Sequence, residues 1–114
     1  MYLLVIILHK EEYLDDILQL FVELGVEDAV IIESQSLTHA LAYDVPIFAG
    51  LRFQLKGERK YSKVILALTD RKETASEMVD LLKEEDIDFE QPGTGRILVV
   101  KLEEAIGKPE EIEI

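Results

Sequence analysis

Two apolar runs, each followed by a change of period, set the limits on what this chain can fold into. Tyr2 to Leu8, YLLVIIL, is a continuous apolar stretch of strand length, as expected for a strand that is central in a sheet or buried on both faces. From Glu11 the period lengthens: Leu14, Ile17, Leu18 and Phe21 fall at i, i+3, i+4 and i+7, acidic residues come early, and Gly25 stands where a helix stops. Asp28 to Ser36, DAVIIESQS, returns to β-branched residues and predicts a second strand.

The second half repeats this grammar. SKVILALTD, from Ser62, predicts a third strand; Asp70 and Glu73 are spaced like a capping box, and Ala75, Met78, Val79 and Leu82 form one helical face. IDFEQPGTG is a connection, and RILVVKL from Arg96 predicts the fourth strand. Strand, helix, strand, taken twice, predicts an α+β, ferredoxin-like βαββαβ domain: a four-stranded antiparallel sheet with two helices on one face. With 114 residues the chain has the size of one domain, 1–114.

Residues 37–61 are far too long for the hairpin that such a fold needs between its second and third strands, and predict an inserted segment. Within DVPIFAGLRFQLKG, Asp44 is placed as an N-cap, Pro46 lies near the first turn, Ile47, Phe48, Leu51 and Leu55 share one face, and Gly57 acts as a stop. That pattern predicts one short helix; a β-hairpin arm through Phe53 is the alternative, since Gly50 weakens a helix by about 1 kcal/mol relative to Ala.

Composition narrows function mainly by exclusion. The chain has no cysteine, which removes disulfides, thiolate metal sites and cysteine nucleophiles together. Absent Asn and Cys beside abundant Glu, Lys and Ile is a thermophile-like bias. A formal charge of −12 opposes a nucleic-acid partner. No apolar run approaches the roughly 20 residues that span a bilayer, and the opening run lacks a basic flank and a small-residue cleavage site, so the expectation is a cytoplasmic protein without membrane insertion.

No catalytic set emerges, and the expectation is that the chain is not an enzyme. His9 and His39 each lack a second histidine at helical spacing. The acid pairs Glu11–Glu12, Asp15–Asp16, Glu84–Glu85 and Glu103–Glu104 read as solvated charge. Ser34, Ser36, Ser62 and Ser76 have no GxSxG context and are expected to have no histidine beside them. An acylphosphatase would need an arginine cradle after the first strand, where HKEEY stands instead. What remains is cationic: Lys56, Arg59, Lys60 and Lys63 cluster into the third strand, and Arg96 follows Gly93, Thr94 and Gly95. GTGRILVV opens a strand, not a helix, so the Walker and Rossmann readings fail on context.

These residues resemble a known family. GTGRILVVKLEEAIG resembles the segment of PII nitrogen-regulatory proteins that begins G-D-G-K-I-F-V; LLVIILHKEEYLDDILQLFVELGVEDAVIIE parallels the family's first strand, helix and second strand with Gly25 and Glu33 in register; and YSKVILAL resembles its P-K-V-x-I-E-I strand. The resemblance covers most of the chain except residues 37–61, which occupy the place of the family's interaction loop. It implies a ferredoxin-like homotrimer that signals by protein contact and binds an effector such as ATP, ADP or AMP in clefts between subunits. It further implies a phosphate-facing turn at Gly93, Thr94 and Gly95, with Arg96, Lys63 and Lys108 facing the anion. Ile47, Phe48, Leu51 and Phe53 would then meet a partner protein. The family's R-G-x-E-Y motif and effector glutamine have no counterpart between Leu37 and Tyr61, and Gly107 and Pro109 stand where two arginines are expected. The alternative is a ferredoxin-like oligomer of the amino-acid-binding or metal-tolerance kind, without a nucleotide.

Overall fold

The computed structural model of the chain describes residues 1–55 and 61–109. Lys56, Gly57, Arg59 and Lys60, which the sequence places in the cationic cluster and at the helix stop, lie outside the described residues. Four strands, β1 (Tyr2–Leu8), β2 (Asp28–Ser34), β3 (Ser62–Thr69) and β4 (Gly95–Lys101), form one sheet in the order β2-β3-β1-β4, every neighbouring pair antiparallel. Helices α1 (Leu14–Glu23) and α4 (Thr74–Glu84) connect β1 to β2 and β3 to β4. This is an α+β architecture compatible with a ferredoxin-like fold.

Both connecting helices cover the same face of the sheet. Leu4, Ile6 and Leu8 of β1 and Ile65 and Ala67 of β3 point inward and meet Ile17, Leu20 and Phe21 of α1 and Ala75, Met78 and Leu82 of α4. Leu4, Ile6, Ile17, Ile65, Met78 and Leu82 are wholly buried, each stabilising the fold by roughly 1.5–3 kcal/mol relative to an exposed side chain. The amphipathic faces expected of the two helices are the ones buried, with Leu14 and Leu18 packed at the margin and Val79 only partly buried outside the core.

Both helices end in the same way. Beyond α1, Gly25 takes φ +74°, its N–H donates to the Val22 carbonyl, and the Val26 N–H donates to that of Phe21. Beyond α4, Asp86 takes φ +61°, its N–H donates to the Lys83 carbonyl, and the Ile87 N–H donates to that of Leu82. Each is a Schellman closure that drives an apolar residue, Val26 or Ile87, back into the core.

Three local expectations change. The capping box is not formed: no side chain caps α4, and Thr69 Oγ1 instead accepts from the Arg71 N–H while meeting Thr74 Oγ1 at 2.9 Å. The half-buried Thr69 and the buried Thr74 together close the turn without Asp70. The second strand stops at Ser34, because the Ser36 hydroxyl accepts the His39 N–H and caps a helix, α2 (Leu37–Asp44). Asp44 therefore ends a helix instead of starting one.

The predicted single helix after Asp44 is replaced by a 3-10 turn, Pro46–Phe48, and a one-turn helix, α3 (Leu51–Gln54), and the hairpin arm through Phe53 is absent because Phe53 is helical. Arg52 ties the pieces together. Its Nε donates to the Ala42 carbonyl at 2.7 Å, a second guanidinium nitrogen reaches the Tyr43 carbonyl, and the cation lies over the Tyr43 ring at 5.0 Å. Ala42 is wholly buried under this closure but is not part of the main core. Residues 37–55 thus form a small helical unit with its own packing.

Candidate functional site

The register decides where the cationic residues and the glycine turn lie. Leu8 pairs with Lys63 on one side and Gly95 on the other, giving the row Glu33–Lys63–Leu8–Gly95 on the helix-covered, inner face. Across two strand spacings, Lys63 and Gly95 are roughly 10 Å apart. The next row, Ile32–Val64–Ile7–Arg96, faces the opposite, outer side. Lys63 and Arg96 therefore share one end of the sheet but project from different faces. Lys108 is at the other end: it lies between Gly107 and Pro109, which line a cleft with Met1, Gly25, Asp70 and Arg71. The length of β1 separates that cleft from Gly95 by roughly 20 Å. Within one chain the structure brings Gly93, Thr94, Gly95 and Arg96 together, sets Lys63 nearby and leaves Lys108 apart.

The turn itself is tightly specified. Gly93 and Gly95 have φ +86° and +148°, conformations that side chains resist. Thr94 is buried, its N–H donates to the Gln91 carbonyl at 3.3 Å, and its own carbonyl accepts the His9 N–H at 3.0 Å. The Thr94 amide is thus engaged inside the turn, which leaves anion contacts to the neighbouring glycine amides and the exposed Arg96 guanidinium. Lys63 is already met by two carboxylates, Glu11 at 3.6 Å and Glu33 at 3.7 Å. Among the described residues Arg96 enters no such ion pair.

Both histidines have serine partners, one distant in sequence and one only three residues away. His9 Nδ1 lies 2.7 Å from Ser62 Oγ across the β1–β3 pair, and His39 Nδ1 lies 2.7 Å from Ser36 Oγ within the α2 cap. Ser62 is buried, and its carbonyl accepts from the Ser34 hydroxyl. The expectation of serines remote from histidine fails at Ser62 because strand register joins residues 53 apart, and at Ser36 because the helix cap turns it toward His39. Among the described residues, no group of three His, Asp or Glu side chains is placed to hold a metal ion.

The outer face carries no helix broadly packed on it among the described residues. Its rows read Asp28–Leu68–Leu3–Val100, Val30–Leu66–Val5–Leu98 and Ile32–Val64–Ile7–Arg96, aliphatic apart from the ends. In the middle of the sheet, from Leu3 to Leu8 and from Val64 to Leu68, burial alternates between complete on the inner face and partial on the outer one. Val30, Ile32, Leu98 and Val100 on the two edge strands are 54, 46, 45 and 46% exposed. The helices α2 and α3 pack on each other and on the turn between them, not broadly across this face. Of the residues expected to meet a partner, Ile47 and Phe53 are 85 and 89% exposed, Phe48 is exposed to a lesser degree, and Leu51 is half-buried.

The chain matches no protein-family model and no curated protein. No helix among the described residues is long and apolar enough to cross a membrane.

Proposed function

We propose that this chain is a PII-like signal-transduction protein: a homotrimer that binds a small anionic effector, with an adenine nucleotide as first candidate, in clefts between subunits and regulates a partner protein. The observation that carries the reading is the outer face of the sheet. A contiguous aliphatic surface of this kind marks an association site, and on edge strands it is an aggregation hazard unless covered. The occupant that fits is another copy of the chain. Subunits with a formal charge of −12 repel one another through most of their surfaces, whereas this face is nearly free of charge.

Such an assembly supplies what one subunit lacks. Lys63, Arg96 and Lys108 diverge within a chain, so a site that uses all three has to draw on two copies. Arg96 and the Gly93–Gly95 turn sit on the rim of the shared face, where a cleft between subunits opens. The helical unit at residues 37–55 stands in the place of the PII interaction loop and offers Ile47, Phe48, Leu51 and Phe53 to a partner.

One observation favours the second reading, an oligomer that binds no nucleotide: Glu11 and Glu33 already neutralise Lys63, and an effector phosphate has to displace them. Calorimetric titration with ATP, ADP and AMP, with and without magnesium, separates the two. Saturable binding that Arg96→Ala abolishes supports the effector-sensing protein. Absence of heat with every nucleotide removes it and leaves the oligomer alone.

A further inference from the structure

We propose that His9, oriented by Ser62, is the second ligand of the anion at the Gly-Thr-Gly turn and clamps a phosphate together with Arg96. The inference rests on the effector-binding reading above and adds a group to that site.

His9 continues β1 beyond Leu8 and is bound to the turn directly, its N–H donating to the Thr94 carbonyl at 3.0 Å. Since Ile7 pairs with Arg96, and residues two apart on a strand share a face, His9 and Arg96 are diagonal neighbours on the outer face. Diagonal positions of an antiparallel pair lie roughly 7–8 Å apart, within reach of one phosphate group for two long polar side chains. The half-buried imidazole is not free to swing. Ser62 Oγ, 5% exposed, holds Nδ1 at 2.7 Å, and Ser34 Oγ pins the Ser62 carbonyl at 3.1 Å.

Of the two tautomers that this bond allows, one makes the other ring nitrogen a donor. When the Ser62 hydroxyl donates to Nδ1, the proton of a neutral ring resides on Nε2, which becomes a donor for an anionic oxygen. A protonated ring donates from Nε2 as well. Arg96, outside any ion pair among the described residues, supplies the fixed positive charge. A guanidinium and an imidazole N–H beside glycine amides form a donor set for phosphate in a chain whose charge is otherwise strongly negative. Ser62 is a positioning residue and His9 a binding residue.

The test is titration of the intact protein with tripolyphosphate and with ATP, following the ring resonances of His9 by NMR, with His39, the other histidine, as internal control. Both ligands are expected to move the His9 signals and leave those of His39 in place. His9→Asn keeps a partner for Ser62 but withdraws the Nε2 donor, and is expected to weaken binding roughly 10- to 100-fold, the loss of one charge-assisted hydrogen bond. His9→Gln, which reaches the Nε2 position, is expected to lose less. Wild-type affinity in His9→Asn, with binding still abolished by Arg96→Ala, overturns the role of His9 and leaves the effector reading intact. If the wild-type protein binds neither ligand, both fall.

Discussion

Gly95 lies so close to Ile7 that a Cβ at this position would stand 2.0 Å from the Ile7 carbonyl oxygen. The obstacle is backbone of the central strand, so no rotamer change relieves it. Gly93, two residues earlier, has open space around its Cα and only its φ of +86° to defend. Gly93→Ala is therefore expected to cost about 1 kcal/mol, and Gly95→Ala clearly more, in urea unfolding of the two variants. Equal costs would show that β4 can move away from β1. The second glycine of the turn thus has a structural reason to exist before any ligand is considered.

The twin helix endings make a second prediction. Asp86 holds the left-handed position that Gly25 holds after α1, and an Asp there carries a steric cost that glycine lacks. Asp86→Gly is expected to stabilise the protein by about 0.5–1 kcal/mol, and Gly25→Ala to destabilise it by about 1 kcal/mol. Thermal unfolding of both variants should shift in opposite directions.

Arg52 should behave as a local clamp. Removing it frees the Ala42 and Tyr43 carbonyls at the end of α2 and the contact over the Tyr43 ring. Arg52→Ala is expected to cost about 1 kcal/mol and to raise hydrogen exchange within residues 37–55, leaving the amides of β1 and β3 protected. Uniform loss of protection would mean that the helical unit and the sheet unfold together.

Lys63 gives the opposite expectation. Its partners Glu11 and Glu33 are more than half exposed, and exposed ion pairs are worth about 0–1 kcal/mol. Lys63→Met should barely alter unfolding while weakening nucleotide binding, if the effector reading holds. A large stability change with unaltered binding would assign the lysine a structural role instead.

The fold was legible where periodicity is strong. YLLVIIL occupies β1 from end to end, and the faces expected of α1 and α4 are buried apart from Val79, because long runs with one period leave few alternatives. Within residues 37–55 the sequence is read as one short helix begun by Asp44, where the structure has three helical pieces with Asp44 ending the first. LTHALAYD carries no strong amphipathic stripe, and its helix is held by the Ser36 cap and by Arg52, ten residues from Ala42. The Gly-Thr-Gly turn stood out in sequence, but the commitment of its Thr94 amide to Gln91 did not. Nor did the His9–Ser62 contact or the divergence of Lys63 and Arg96, since both arise from register between strands distant in sequence.

If copies of this chain meet through the outer face of the sheet, as proposed, sedimentation equilibrium at micromolar concentration will detect the assembly. Val30 and Leu98 lie on edge strands, are 54 and 45% exposed, and belong to one cross-sheet row, so glutamate can replace them without entering the core. The wild-type protein is expected at three times the subunit mass of 13.0 kDa, and Val30→Glu and Leu98→Glu as folded monomers. A wild-type protein that sediments at the subunit mass, or a trimer indifferent to both substitutions, would contradict the account.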